Sequence, residues 1–212
     1  DYDRVVRQRN TLLKTRAPQS AIEPWTEQLI RFGAELSAER VKLVDDLNPF
    51  VSEHYRNLNE VKPASISYKS STEGLTADVA ENAEILKLRA VEVAKQEMDR
   101  GASLIGPHRD DLHLQLGDFP AKGYASHGES WSMAIALRIG SYTLLKSEGA
   151  DPVLILDDIF AELDNQRRQQ LTAVTQLAEQ TIITTAVESD LPPELLSAKF
   201  YVSPGKVSAT HG

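Results

Sequence analysis

The chain has 212 residues, 41% of them hydrophobic and 25% charged, which fits one globular domain with an appendage or two small domains. It has no cysteine, which excludes disulfides and thiolate metal sites and points to a reducing, cytoplasmic setting. No apolar run is long enough to span a membrane, and a net charge of −8 does not advertise nucleic-acid binding.

The charge is uneven. Residues 1–100 carry a net −2 and residues 101–212 a net −6. The first sixteen residues hold five basic side chains (Arg4, Arg7, Arg9, Lys14, Arg16) against two acidic ones. A solvated helix face is the expected reading of that run, ahead of a phosphate-contacting strip. The polar start at Asp1, with no initiating methionine or signal peptide, suggests a piece of a longer protein.

In chain order, Val5, Val6, Leu12 and Leu13 mark a helix over 3–14. Ala17-Pro18-Gln19 breaks it, Ser20 with Glu23 has the form of a capping box, and Pro24 suits a first turn. Apolar residues from Trp25 to Phe50 then recur at three- and four-residue steps, which predicts a long, arm-like amphipathic helix with a bend before Pro49. Ser65–Tyr68 alternates like a short strand. Asp78 and Glu81 open another helix, reaching about Arg100.

The pattern changes near residue 100, where the domain boundary is expected: a helical domain over 1–100 and an α/β domain over 101–212. Leu112, Leu114 and Leu116 alternate as in a half-exposed strand, and Phe119–Lys122 can return beside it. A glycine-punctuated loop, 123–128, leads into a helix over 129–146. A buried strand, Val153–Leu156, a helix over 165–179, a strand over 181–185, a short helix opened by Pro192-Pro193 and a last strand at Phe200–Val202 follow. This alternation predicts parallel strands layered with helices.

Two stretches carry chemistry. Val153-Leu154-Ile155-Leu156 ends in Asp157 and Asp158, so an apolar strand delivers two carboxylates to the edge of a sheet where α/β proteins bind ligands. One carboxylate can hold Mg²⁺ through water and the next can polarise an attacking water. Ser126-His127-Gly128-Glu129 can cap a helix and present its N–H groups to an anion, though an ordinary serine cap reads the same way. No G-x-x-x-x-G-K-[ST] phosphate loop accompanies them.

The order Ser126-x-Gly128, Val153–Asp158, Ala161-Glu162-Leu163-Asp164 resembles the ABC-type ATPase heads of SMC-like DNA repair proteins. Gly106-Pro107-His108-Arg109-Asp110-Asp111-Leu112 narrows the likeness to the RecF family of bacterial recombination mediators. The resemblance is strong over 100–205 and weaker over 1–100, which is similar to the family's helical second domain. It implies that Ser126, Gly128 and Glu129 form the signature contacting the γ-phosphate of ATP on a partner subunit. It implies further that Asp157 is the Walker B aspartate holding Mg²⁺, that Asp158 takes the catalytic acid position, usually glutamate, and that Asp164 is the D-loop aspartate at a dimer interface. Slow ATP hydrolysis, an ATP-dependent homodimer, binding at single-strand/double-strand DNA junctions, and action with RecO and RecR are implied as well. The phosphate loop and Q-loop would precede residue 1, so this chain alone should be inactive as an ATPase. Ala186 and Val187 stand where many ABC proteins carry a switch histidine.

Two other classes remain open on the residues alone. A metal-dependent phosphodiesterase would gather Asp110, Asp111, Asp157 and Asp158 around a cation, with His108 and His113 as further ligand types. A structural turn with Arg109 paired to a carboxylate is the simpler reading of residues 106–112. A non-catalytic module would dock a partner through the helical arm. His54 and His211 read as surface histidines.

Overall fold

The computed structural model describes residues 1–58, 62–195 and 198–211, with the side chains of Glu162, Thr210 and His211 outside that description. The expectations for His211 and for the Glu162 side chain therefore lie outside the described residues. The chain divides into two compact units that interleave in sequence: Asp1–Pro49 with Ala64–Ala125, and Phe50–Pro63 with Ser126–Gly212. These units follow spatial contact, whereas the change near residue 100 is a change in hydropathy pattern.

In the first unit, α1 (Tyr2–Lys14), the long α2 (Gln19–Leu58, which runs on into the second unit) and α3 (Val79–Arg100) supply the helices. Tyr2, Val5, Val6, Leu29, Ala90, Val93 and Ile105 form its core, with Trp25, Phe32 and Leu36 packed against them. α3 is closed at both ends by local chemistry. Asp78 accepts the Glu81 N–H at 2.8 Å, and Gly101 turns left-handed at φ 62° to end the helix. α2 begins at Gln19, so Ser20 lies inside the first turn and does not cap it. The helix also continues through Pro49 to Leu58. Each internal proline removes a single backbone bond, to the carbonyl of Ser20 or Asp45, and the flanking turns carry the helix across.

β1 (Ala64–Lys69), β2 (Asp111–Leu116) and β3 (Phe119–Pro120) form an antiparallel sheet in the order β1-β2-β3, with Ile66 opposite Leu114. A single-turn α4 (Ala121–Tyr124) follows. Asn48 on α2 anchors β1 by accepting the Ile66 N–H at 2.8 Å.

The second unit is a βαβ arrangement. α5 (His127–Ser147) buries Met133, Ile135, Ala136, Ile139 and Tyr142. β4 (Leu154–Asp157) pairs in parallel with β5 (Thr181–Thr184), and α6 (Asn165–Thr175) lies between them in sequence. β6 (Ala198–Ser203) and β7 (Lys206–His211) form a hairpin closed by Pro204-Gly205, with Gly205 at φ 72°. The sequence reading missed β7, although Pro-Gly is a turn signal.

One expectation is corrected. The strand ending in Asp157 is not buried on both faces: Leu156 is buried, while Ile155 is 64% exposed and its partner Ile182 is 45% exposed. Successive strand residues point to opposite faces, and only one face of this two-stranded parallel sheet is covered.

Candidate functional site

β4 ends in Asp157, whose carboxylate β5 holds, and Asp158 follows in the turn beyond the strand. Asp157 and Thr184 are direct neighbours in the parallel register. The Thr184 hydroxyl donates to Asp157 Oδ1 at 2.5 Å and accepts the Asp158 N–H at 3.1 Å, while the Thr184 carbonyl accepts the same N–H at 3.1 Å. One oxygen of Asp157 is thereby fixed, and Oδ2 has no hydrogen-bond partner among the described residues. Asp158 turns the chain at φ 51°, in the left-handed region that aspartate tolerates better than most residues. Both aspartates are exposed.

Ser126 caps α5 through a complete capping box. Its Oγ accepts the Glu129 N–H at 3.2 Å, and Glu129 Oε2 accepts the Ser126 N–H at 2.8 Å. Lys62 donates to the other oxygen, Oε1, at 2.6 Å. That ammonium, followed by the two bonds to Ser126, holds the Glu129 carboxyl down to about 2. Glu129 is thus engaged by its own helix start and by Lys62, and Gly128 leaves the first turn without a side chain.

Asp164 caps α6, accepting the Arg167 N–H on Oδ1 at 2.9 Å and Arg167 Nη1 on Oδ2 at 2.8 Å. Arg167 Nε donates to Ser132 Oγ on α5 at 3.0 Å. The second unit therefore brings together the Ser126 turn and Asp164 through Arg167, and Asp157 and Asp158 through Thr184. Arg167, Thr184 and Lys62 were missed from sequence. Arg167, three residues after a helix-capping aspartate, carried the one local signal.

The 106–112 motif belongs to the first unit and is taken up by packing. A β-carbon on Gly106 (φ 104°) would sit 2.2 Å from the Tyr2 hydroxyl, which is 2.8 Å from His108 Nδ1. Arg40 donates to the Pro107 carbonyl at 2.6 Å. Asp110 accepts from Tyr68 at 2.5 Å, Ser70 at 3.2 Å, and the Ser71 N–H and hydroxyl at 2.7 and 2.8 Å. The turn is structural, as expected, but by a different pairing: Arg109 is exposed with no carboxylate partner among the described residues. Asp110 is thus committed to these bonds, and the described residues contain no group of three or more potential metal-binding side chains.

Two further expectations change. Arg9 is not on a solvated face: it is buried, bonded to Glu97 at 2.6 Å, Ser103 at 2.8 Å and Thr26 at 2.9 Å. His54 is half-buried rather than free at the surface; its Nε2 lies 2.9 Å from the Thr143 hydroxyl, and burial lowers its pKa.

No protein-family model matches the chain. Among solved structures, the recombination mediator protein RecF-ATPrS of the RecFOR pathway superposes with a TM-score of 0.84 over 98% of this chain and 56% of that one, at 23% identity. RecF-ATP gives 0.82 over 99% and 56%, also at 23% identity. The fold is α/β, and over nearly the whole of this chain it is the fold of those RecF structures. The DNA replication and repair protein RecF of Rhodococcus erythropolis (strain PR4) is 47% identical over 231 residues, spanning 95% of this chain and 56% of the relative. The RecF of Streptomyces avermitilis is 45% identical over 218 residues, spanning 98% and 58%. The chain belongs to the RecF family and spans about half the length of the curated relatives it matches.

Proposed function

We propose that this chain is the signature-bearing portion of a cytoplasmic DNA repair and recombination mediator that binds ATP, dimerises with it and hydrolyses it slowly at gapped DNA, acting with RecO and RecR. The observation that carries the reading is the Asp157-Asp158 strand end, clamped by Thr184, in the same compact unit as the Ser126-capped α5 and the Asp164-capped α6. No helix among the described residues is long and apolar enough to cross a membrane.

Mg²⁺ fits Asp157 in the manner of a substrate-borne ion. A single exposed carboxylate with one oxygen free suits water-mediated binding shared with phosphates, and the described residues offer no all-protein cage. When bound, the ion would neutralise charge on the phosphates. Asp158 would accept a proton from the water that attacks the γ-phosphorus as the bond to ADP breaks, giving ADP and inorganic phosphate. The N–H groups at the start of α5, around Gly128, would meet the γ-phosphate of nucleotide held by a second subunit. Aspartate reaches less far than glutamate, in keeping with slow turnover.

The test is steady-state hydrolysis by the full-length protein. Asp157→Asn should lower kcat by about 100-fold or more, on the scale of losing one preorganised electrostatic contact. Unchanged turnover would overturn the reading. The 212-residue chain alone should show no tight ATP binding by calorimetry, because no phosphate loop is present to cradle the triphosphate.

A further inference from the structure

Arg167 joins three parts of the second unit that the sequence keeps apart. Its main-chain N–H and its Nη1 hold the two oxygens of Asp164, at 2.9 and 2.8 Å. Its Nε holds Ser132 Oγ at 3.0 Å, and Ser132 is fully buried one turn beyond the signature residues. Its Nη2 lies 3.5 Å from where a β-carbon on Gly128 would stand, so the guanidinium lies against the bare first turn of α5.

We infer that Arg167 is a positioning residue that couples the Ser126–Gly128 turn to the Asp164 carboxylate, so that engaging one with a partner's nucleotide sets the other. The inference rests on the proposed reading of these two elements as acting across a dimer. The guanidinium is a rigid planar fork, so its donors move together. A shift of α5 carries Ser132 and swings the plane, and Asp164 must follow or break a charge-assisted bond. A tether serving stability alone explains this poorly, because an exposed i,i+3 pair contributes little, and Asp164 is 56% exposed. Lysine could reach one partner but not present two donors in one plane.

The experiment compares Arg167→Gln, Arg167→Lys and Ser132→Ala in the full-length protein, reading kcat, the KM for ATP, ATP-dependent dimerisation and the thermal midpoint. Arg167→Gln should lower kcat about 30- to 100-fold, the scale of a ~1 Å misplacement, with KM within about twofold. Arg167→Lys should not restore it. Ser132→Ala keeps the Asp164 pair and cuts only the link to α5, so it should lower kcat with the midpoint unchanged. If Arg167→Gln fails to fold, Ser132→Ala decides alone. Parental kcat in Ser132→Ala, or in a folded Arg167→Gln, overturns the coupling. Asp157→Asn and Ser126→Ala serve as reference. If they abolish turnover while the Arg167 and Ser132 variants do not affect it, only the coupling fails. If Ser126→Ala leaves turnover untouched, the reading of the site fails and the coupling with it.

Discussion

Arg9 and Glu97 lie within the first unit with 4% and 0% of their side chains exposed, each satisfied by neutral groups as well as by the other. Glu97 Oε1 also accepts the Leu104 N–H at 2.7 Å, and Ser103 is held by Asn10 at 2.7 and 2.8 Å. The pair thus orders the 102–105 segment that follows α3. Arg9→Met leaves a buried carboxylate without its partner and should cost about 3–5 kcal/mol in urea unfolding. The double variant Arg9→Met/Glu97→Leu should recover most of that; a single variant within ~1 kcal/mol of the parent would contradict the account. Lys62 and Glu129 behave differently because Lys62 is 47% exposed and screened by salt. Glu129 has a depressed folded pKa, so its contribution is present above the ordinary carboxylate value. It is lost as the pH falls toward about 2. Lys62→Met should raise the Glu129 pKa in a side-chain NMR titration. Its stability deficit should be full near neutral pH and vanish as the pH approaches 2. A Glu129 titration unmoved by the substitution would remove Lys62 as the cause.

At the scale of elements, legibility followed the range of the interaction that fixes each end. α3 could be read because its cap, Asp78 to Glu81, and its stop, Gly101, are local. The same holds for the Ser126–Glu129 box, although its second partner, Lys62, is 67 residues away and left no sequence signal. Thr184 could not be read at all, since its bond to Asp157 exists only once β4 and β5 pair in register across 27 residues. The α2 start was misplaced because Ser20 and Glu23 satisfy the capping pattern one residue inside the real terminus. Gly101 gives the sharpest element-scale prediction. Alanine there must adopt φ 62° and put its β-carbon 2.9 Å from Lys14 Cγ and 3.2 Å from the Lys14 backbone. The left-handed conformation alone costs about 1–2 kcal/mol, and the overlap with Lys14 adds to it. Asp78→Ala loses only one cap, about 1 kcal/mol. Thermal melts should therefore rank Gly101→Ala below Asp78→Ala, and the reverse order would show that the Lys14 contact yields freely.

For the molecule as a whole, the uncovered face of the β4–β5 sheet is a departure from the usual parallel sheet. Parallel sheets are ordinarily covered on both faces, yet Ile155 and Ile182, directly paired, stand exposed together with Val153. The relatives are nearly twice as long as the span this chain matches, and the remaining part of a full-length RecF is the expected cover. The prediction compares two contexts. In the 212-residue chain, Ile155→Thr with Ile182→Thr should change stability by no more than about 0.5 kcal/mol per site, since exposed substitutions seldom do more. Dye binding that reports exposed apolar surface should fall at the same time. In the full-length protein the same pair would bury two hydroxyls in an apolar interface and remove apolar contact, at a cost of about 1–3 kcal/mol each. Denaturant midpoints of the two variant–parent pairs measure this directly. Equal, small effects in both contexts would mean that the rest of the protein leaves this face open, and β4 would then need another source of rigidity than a closed sheet.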